Sequence, residues 1–223
     1  MNPGHTNRLP SPPARSPRVR GLVFALCTLF SLNALAIDTS LPPEEIEQAR
    51  SLGRTSNHED LAAFLKQYEH DFPYPSDHPI AYVQSVEFQT PYEQIVLRAM
   101  RNYAYTKFQA ADDYHANPGL ILVRVVTSLK INYVGPPPPA DAYTVVVSQS
   151  KTIEPRNTVN AATCDPNSQL IYPYPVNTDC TVYTREIVLS FDADQFAPGR
   201  VTVKVMLREG GSLETTYNLN RLK

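Results

Sequence analysis

Apolar residues along this chain change their spacing once, near Gly119. Upstream of it they recur every three or four positions. Leu41, Ile46, Ala49 and Leu52 outline a first short helix, with Ser40 placed to cap it and Gly53 standing where a helix C-cap would. Asn57 opens a second helix with Asp60 at its third position, and Leu61, Phe64, Leu65 and Tyr68 form one apolar stripe. Phe72-Pro73-Tyr74-Pro75 stops it, because proline lacks the N–H that a helix must donate. No element is assigned between Pro75 and Thr90. At Thr90-Pro91-Tyr92-Glu93 the threonine can cap, the proline suits the first turn, and Glu93 can reach back to the cap's own N–H. Tyr92, Ile95, Val96, Ala99, Tyr103, Ala110 and Tyr114 then mark one face of a single helix of roughly six turns, ended by Asn117-Pro118-Gly119.

Downstream the period is two. Ile121, Val123, Val125, Thr127, Leu129, Ile131 and Tyr133 share one face; Arg124, Ser128, Lys130 and Asn132 share the other. This is the pattern of a long, half-buried antiparallel strand. Pro136 to Pro139 ends it and reads as a stiff connection. Tyr143, Val145 and Val147 begin a second strand. Residues 155–181, rich in Asn, Pro, Thr and Tyr, read as irregular. Strands are expected again at 183–191, 200–207 and 212–219. Val201, Val203, Val205 and Leu207 face one way, as do Leu213, Thr215, Tyr217 and Leu219, across a hairpin turn at Glu209-Gly210-Gly211.

Helices followed by consecutive strands define an α+β fold. The expected division is a helical region over 37–118 and, over 119–223, an antiparallel β domain with a disulfide loop. That domain is sandwich-like and of immunoglobulin-like size. The comparison is architectural only, since a chain with no tryptophan lacks the Cys…Trp…Cys pattern.

The first 36 residues depart from the rest in composition. They hold Arg8, Arg15, Arg18 and Arg20 and no acidic residue, then an apolar run from Gly21 to Ala36 ending in Ala34-Leu35-Ala36. A basic segment, a short apolar segment and a small-x-small site are the marks of a cleavable signal peptide. The run is shorter than the roughly 20 apolar residues that span a bilayer, so an exported chain, periplasmic or extracellular, with no membrane span after cleavage is expected. Taking the four leader arginines from 20 basic residues leaves 16 against 22 acidic ones, a net charge of −6 where the precursor has −2. An acidic chain without a Lys/Arg cluster offers nucleic acid no electrostatic footprint. Cleavage also removes Cys27 and leaves Cys164 and Cys180. In an oxidising compartment that pair is expected to form a disulfide, closing a loop of about 16 residues and stabilising by about 3 kcal/mol on the chain-entropy model.

Catalytic patterns are scarce. The chain has no Gly-x-Ser-x-Gly elbow, no phosphate-cradling glycine motif, and only eight glycines from which to build one. His70-Asp71 and Asp77-His78 flank a Pro-Tyr-Pro turn and offer imidazole and carboxylate to a metal, but without a metalloprotease spacing. Asp192-Ala193-Asp194 starts like a calcium loop and continues unlike one. No metal or other cofactor is expected. Tyr74 and Tyr174 each sit between prolines and Tyr172 directly precedes one, so their amphipathic rings are presented at low entropy cost. The leading expectation is therefore a non-catalytic binding or assembly module whose partner is a protein, a peptide or a glycan. The alternative is a small envelope hydrolase or metal-dependent enzyme using His70 and His78.

Overall fold

The computed structural model describes residues 39–75, 81–129, 142–164, 183–208 and 210–223. The leader 1–36, His78, Pro136 to Pro139, Tyr172, Tyr174 and Cys180 lie outside the described residues. In chain order the elements are α1 (Pro43–Gly53), α2 (His58–Leu65), β1 (Glu69–Asp71), β2 (Ala81–Gln89), α3 (Pro91–Arg101), α4 (Lys107–Ala116), β3 (Leu120–Leu129), β4 (Tyr143–Ser148), β5 (Thr152–Ile153), β6 (Asn157–Cys164), β7 (Tyr183–Asp192), β8 (Arg200–Leu207) and β9 (Ser212–Asn218). The strands make two antiparallel sheets, ordered β1-β2-β3-β7-β6 and β5-β4-β8-β9. The chain is thus a mixture of helices and two antiparallel sheets.

Period-two patterning places the core between the sheets. Val86, Phe88, Ile121, Val123, Val125, Ile187, Leu189 and Phe191 of the first sheet and Val147, Val201, Val203, Val205 and Tyr217 of the second belong to one buried cluster. Each such side chain contributes about 1.5 to 3 kcal/mol on leaving water. The Tyr217 hydroxyl donates to the Val86 carbonyl at 2.6 Å, so this polar tip in the apolar wall is satisfied and the sheets are tied at that point. A second cluster, with Ile46, Ala49, Leu61, Ile95, Val96 and Ala110, joins the helices. Phe64 packs against both clusters.

Several elements differ from their sequence-based expectation. Strands β1 and β2 lie inside the stretch 37–118 read as helical, and β2 pairs with β3 along its length apart from a register shift between Val83 and Ser85. Its alternation, Val86 and Phe88 against Glu87 and Gln89, becomes regular only past that shift. Strand β6 and the short β5 were likewise not expected, and β6 occupies part of the 155–181 stretch read as irregular. The helix expected to run unbroken from Pro91 to Tyr114 is two. Asn102 leaves the helical region at φ −127° and ψ 100°, and Thr106 starts α4 with a full capping box to Gln109. Helix α1 begins at Pro43 behind Pro42, not at a Ser40 cap. Gly53 is its last residue, followed by Arg54 at φ −106°, so it is not a left-handed C-cap. A Cβ there would lie 2.2 Å from the Val96 carbonyl oxygen and 2.8 Å from the Ala99 Cβ. Glycine is required because α1 and α3 touch.

Candidate functional site

Of the tyrosines expected to bind, Tyr74 is 42 % exposed, with its ring edge-on to Tyr82 at 4.7 Å. Tyr172 and Tyr174 lie outside the described residues. His70 is an exposed residue of β1 opposite Val86, with its ring edge-on to Phe72 at 4.8 Å. Among the described residues no group of three His, Cys, Asp or Glu side chains is placed to hold a metal ion. Asp192 and Gln195 box a single 3-10 turn, and Asp192 sits 3.4 Å from the Arg156 guanidinium, so this acidic stretch closes a strand end. Cys164 is the last residue of β6; its expected partner Cys180 lies outside the described residues.

A shallow hollow, open to solvent and little larger than a water molecule, lies beside α3 and α4 and is lined in part by Gln94, Arg98, Asp113 and Tyr114. These four polar side chains are engaged. The Gln94 amide donates to the Leu120 carbonyl at 2.8 Å and the Gln89 carbonyl at 3.3 Å. Asp113 pairs with Arg98 and accepts from the Tyr105 hydroxyl at 2.7 Å. Burial and the bond to Asp113 push that hydroxyl up to about 12. Burial opposes ionisation of Asp113, but its bonds to Tyr105 and Arg98 hold it below its ordinary value. The Tyr114 hydroxyl accepts from the Leu41 amide at 3.0 Å and donates to the Thr39 carbonyl at 2.7 Å. These bonds fasten α4 to α3 and to the chain before α1.

Charged groups also gather on the face of the first sheet turned away from its apolar core. Glu69, Glu87 and Arg124 are cross-strand neighbours in β1, β2 and β3. Arg124 donates to Glu87 at 2.5 Å and to Glu186 at 2.6 Å, and Gln89 donates to the other Glu87 oxygen. The Arg124 hydrogen bond holds Glu186 below its ordinary value. Burial, then Glu87, pushes Glu69 up. Glu93 in α3 is 2 % exposed, and its Oε2 has no hydrogen-bond partner. Burial first, then the charges of Glu87 and Glu69, holds its carboxyl well above 4.5, with Arg101 opposing. The expected return bond from Glu93 to the Thr90 N–H is not made. Thr90 accepts from the Glu93 amide at 3.3 Å and gives its own proton to the Lys223 backbone oxygen. Sequence reasoning missed this buried acid, since nothing in Thr90-Pro91-Tyr92-Glu93 says which way the helix start faces.

Exposed apolar area concentrates at the α3–α4 turn. Tyr103 is 91 % exposed, Phe108 71 % and Met100 44 %. The Arg54 guanidinium lies 5.6 Å from the Tyr103 ring and donates to the Tyr103 and Tyr105 carbonyls, while the Lys107 ammonium lies 5.2 Å from the Phe108 ring. An unbroken helix would have kept Tyr103 on the packed face; the break turns it outward. The signal that could have found it is Thr106-x-x-Gln109, a capping box inside the supposed helix. Among the described residues no helix is long and apolar enough to cross a membrane. No family model matches the chain, and no curated protein matches it.

Proposed function

We propose that this chain is an exported, non-catalytic binding or assembly module of the cell envelope or exterior, built on a sandwich-like β domain. The observation that carries the reading is the pair of outward rings, Tyr103 and Phe108, each with a cation at its side. Exposed aromatics of this size raise the free energy of the isolated chain and are retained where a partner covers them. Tyr74 and the proline-adjacent Tyr172 and Tyr174 are proposed as further contacts for a protein, peptide or glycan partner. The hydrolase alternative draws no support from His70, whose ring lies on Phe72 away from the hollow.

The test is retention of the purified mature chain on immobilised peptide and oligosaccharide arrays. Wild-type protein is expected to be retained by at least one ligand class. Tyr103→Ala/Phe108→Ala should weaken that retention roughly thirtyfold, the equivalent of about 2 kcal/mol for a hot-spot ring. Its melting temperature should be unchanged, because neither ring is packed. No retention of wild type, or equal retention of the variant, overturns the reading.

A further inference from the structure

Natural sheets guard their edges with short strands, charges, prolines or covering elements, because an open edge pairs with any strand it meets. Three of the four edges here are guarded. β1 has three residues, Glu69, His70 and Asp71, two of them acidic; β5 has only two. β9 carries Glu214, lies against β2 and turns its Tyr217 hydroxyl to that strand. β6 is the exception. Its eight residues, Asn157–Cys164, contain no charge and no proline, and among the described residues no strand pairs with the side away from β7. Residues 157–161 are all exposed, Val159 by 50 %. Arg156, just before the strand, pairs with Asp192 of the same chain, and Asp165, just after it, lies outside the described residues.

We propose that β6 is a self-pairing edge, and that two copies of this chain join β6 to β6 in antiparallel fashion about a twofold axis centred on Asn160. A second copy is the occupant that this edge fits. An uncharged strand meets its own image without setting like charges opposite one another, which a charged edge cannot do. An antiparallel twofold keeps each face continuous, so Asn160 meets its counterpart and Val159 meets the second copy's Ala161 on the face outside the core. The contact is isologous and closes at two. The far edge of the same sheet, short and acidic at β1, gives the joined sheet no means of growing further.

Sedimentation of the full mature chain over a range of concentrations tests this. Wild type is expected to show a monomer–dimer equilibrium. Asn160→Lys and Asn160→Asp, each at an exposed position and each checked for wild-type circular dichroism, should separately weaken the dimer by roughly tenfold or more. An equimolar mixture of the two should restore it, since opposite charges then face each other. A wild type that stays monomeric, single variants that dimerise like wild type, or a mixture that stays monomeric overturns the proposal. The monomeric Asn160→Lys chain should keep its array retention, so failure of this inference and failure of the binding reading are told apart.

Discussion

Glu93 shows how far a single side chain can depart from its local role. Its position three residues after Thr90 is that of a capping partner, yet it is buried with one oxygen unpartnered and two carboxylates nearby. The groups facing it are Glu87 and Glu69 from the sheet, Arg101 from its own helix, and the hydroxyls of Tyr68 and Tyr217. Burial raises its folded-state value above the unfolded one, so the folded chain keeps a proton that the unfolded chain releases. Stability from this group is therefore full below the unfolded carboxyl value of 4.5 and is lost as pH rises toward the folded value. Glu93→Gln removes the titration while keeping the shape. The variant's advantage over wild type should be smallest near ~pH 4 and grow toward ~pH 7.5, by at most about 1.4 kcal/mol per pH unit. Urea unfolding at both values checks it, and a pH-independent difference would show that Glu93 titrates like an exposed carboxyl.

Among the elements, the α1–α3 contact is set by Gly53. Helix propensity alone favours alanine there by about 1 kcal/mol. The added Cβ, however, would meet the backbone oxygen of Val96, which cannot step aside without moving α3. Gly53→Ala is therefore expected to destabilise by about 1 to 3 kcal/mol net, read as a lower urea midpoint with an unchanged slope. A stabilised variant would show that the helices have room to part. The α3–α4 break teaches a related lesson. Periodicity counted Tyr103 with the packed face because Ala110 and Tyr114 continue the same phase, and Tyr114 is indeed held, by Thr39 and Leu41. Phase is blind to an intervening turn; the Thr106 cap was the local evidence that mattered.

At the scale of the whole molecule, the expected export signal and the start of the fold meet within a few residues. Cleavage after Ala36 would leave Ile37 and Asp38 ahead of Thr39, the first residue gripped by Tyr114. N-terminal sequencing of the exported product is expected to begin at Ile37. A product that keeps the leader, or one that begins after Leu41 and so loses the Tyr114 bonds, would contradict this. The alternating strands β3, β7, β8 and β9 could be read from the sequence, since a half-buried strand must repeat every two residues whatever it packs against. The same holds for the start of α2, whose Asn57 cap is local, but the helix ends at Leu65 and the expected stripe residue Tyr68 joins the sheet core. Strand β2 was hidden because its register shift splits the alternation, and β6 because a polar strand whose faces are both exposed has no alternation to show. The candidate site followed the same division. Proline-flanked tyrosines are visible as residues, but the exposure of Tyr103 and Phe108, the burial of Glu93 and the position of β6 at a sheet edge among the described residues each depend on what lies on the other side of a side chain or strand. Local sequence determines period and caps; only tertiary packing decides which groups lose their water and which are left to meet a partner.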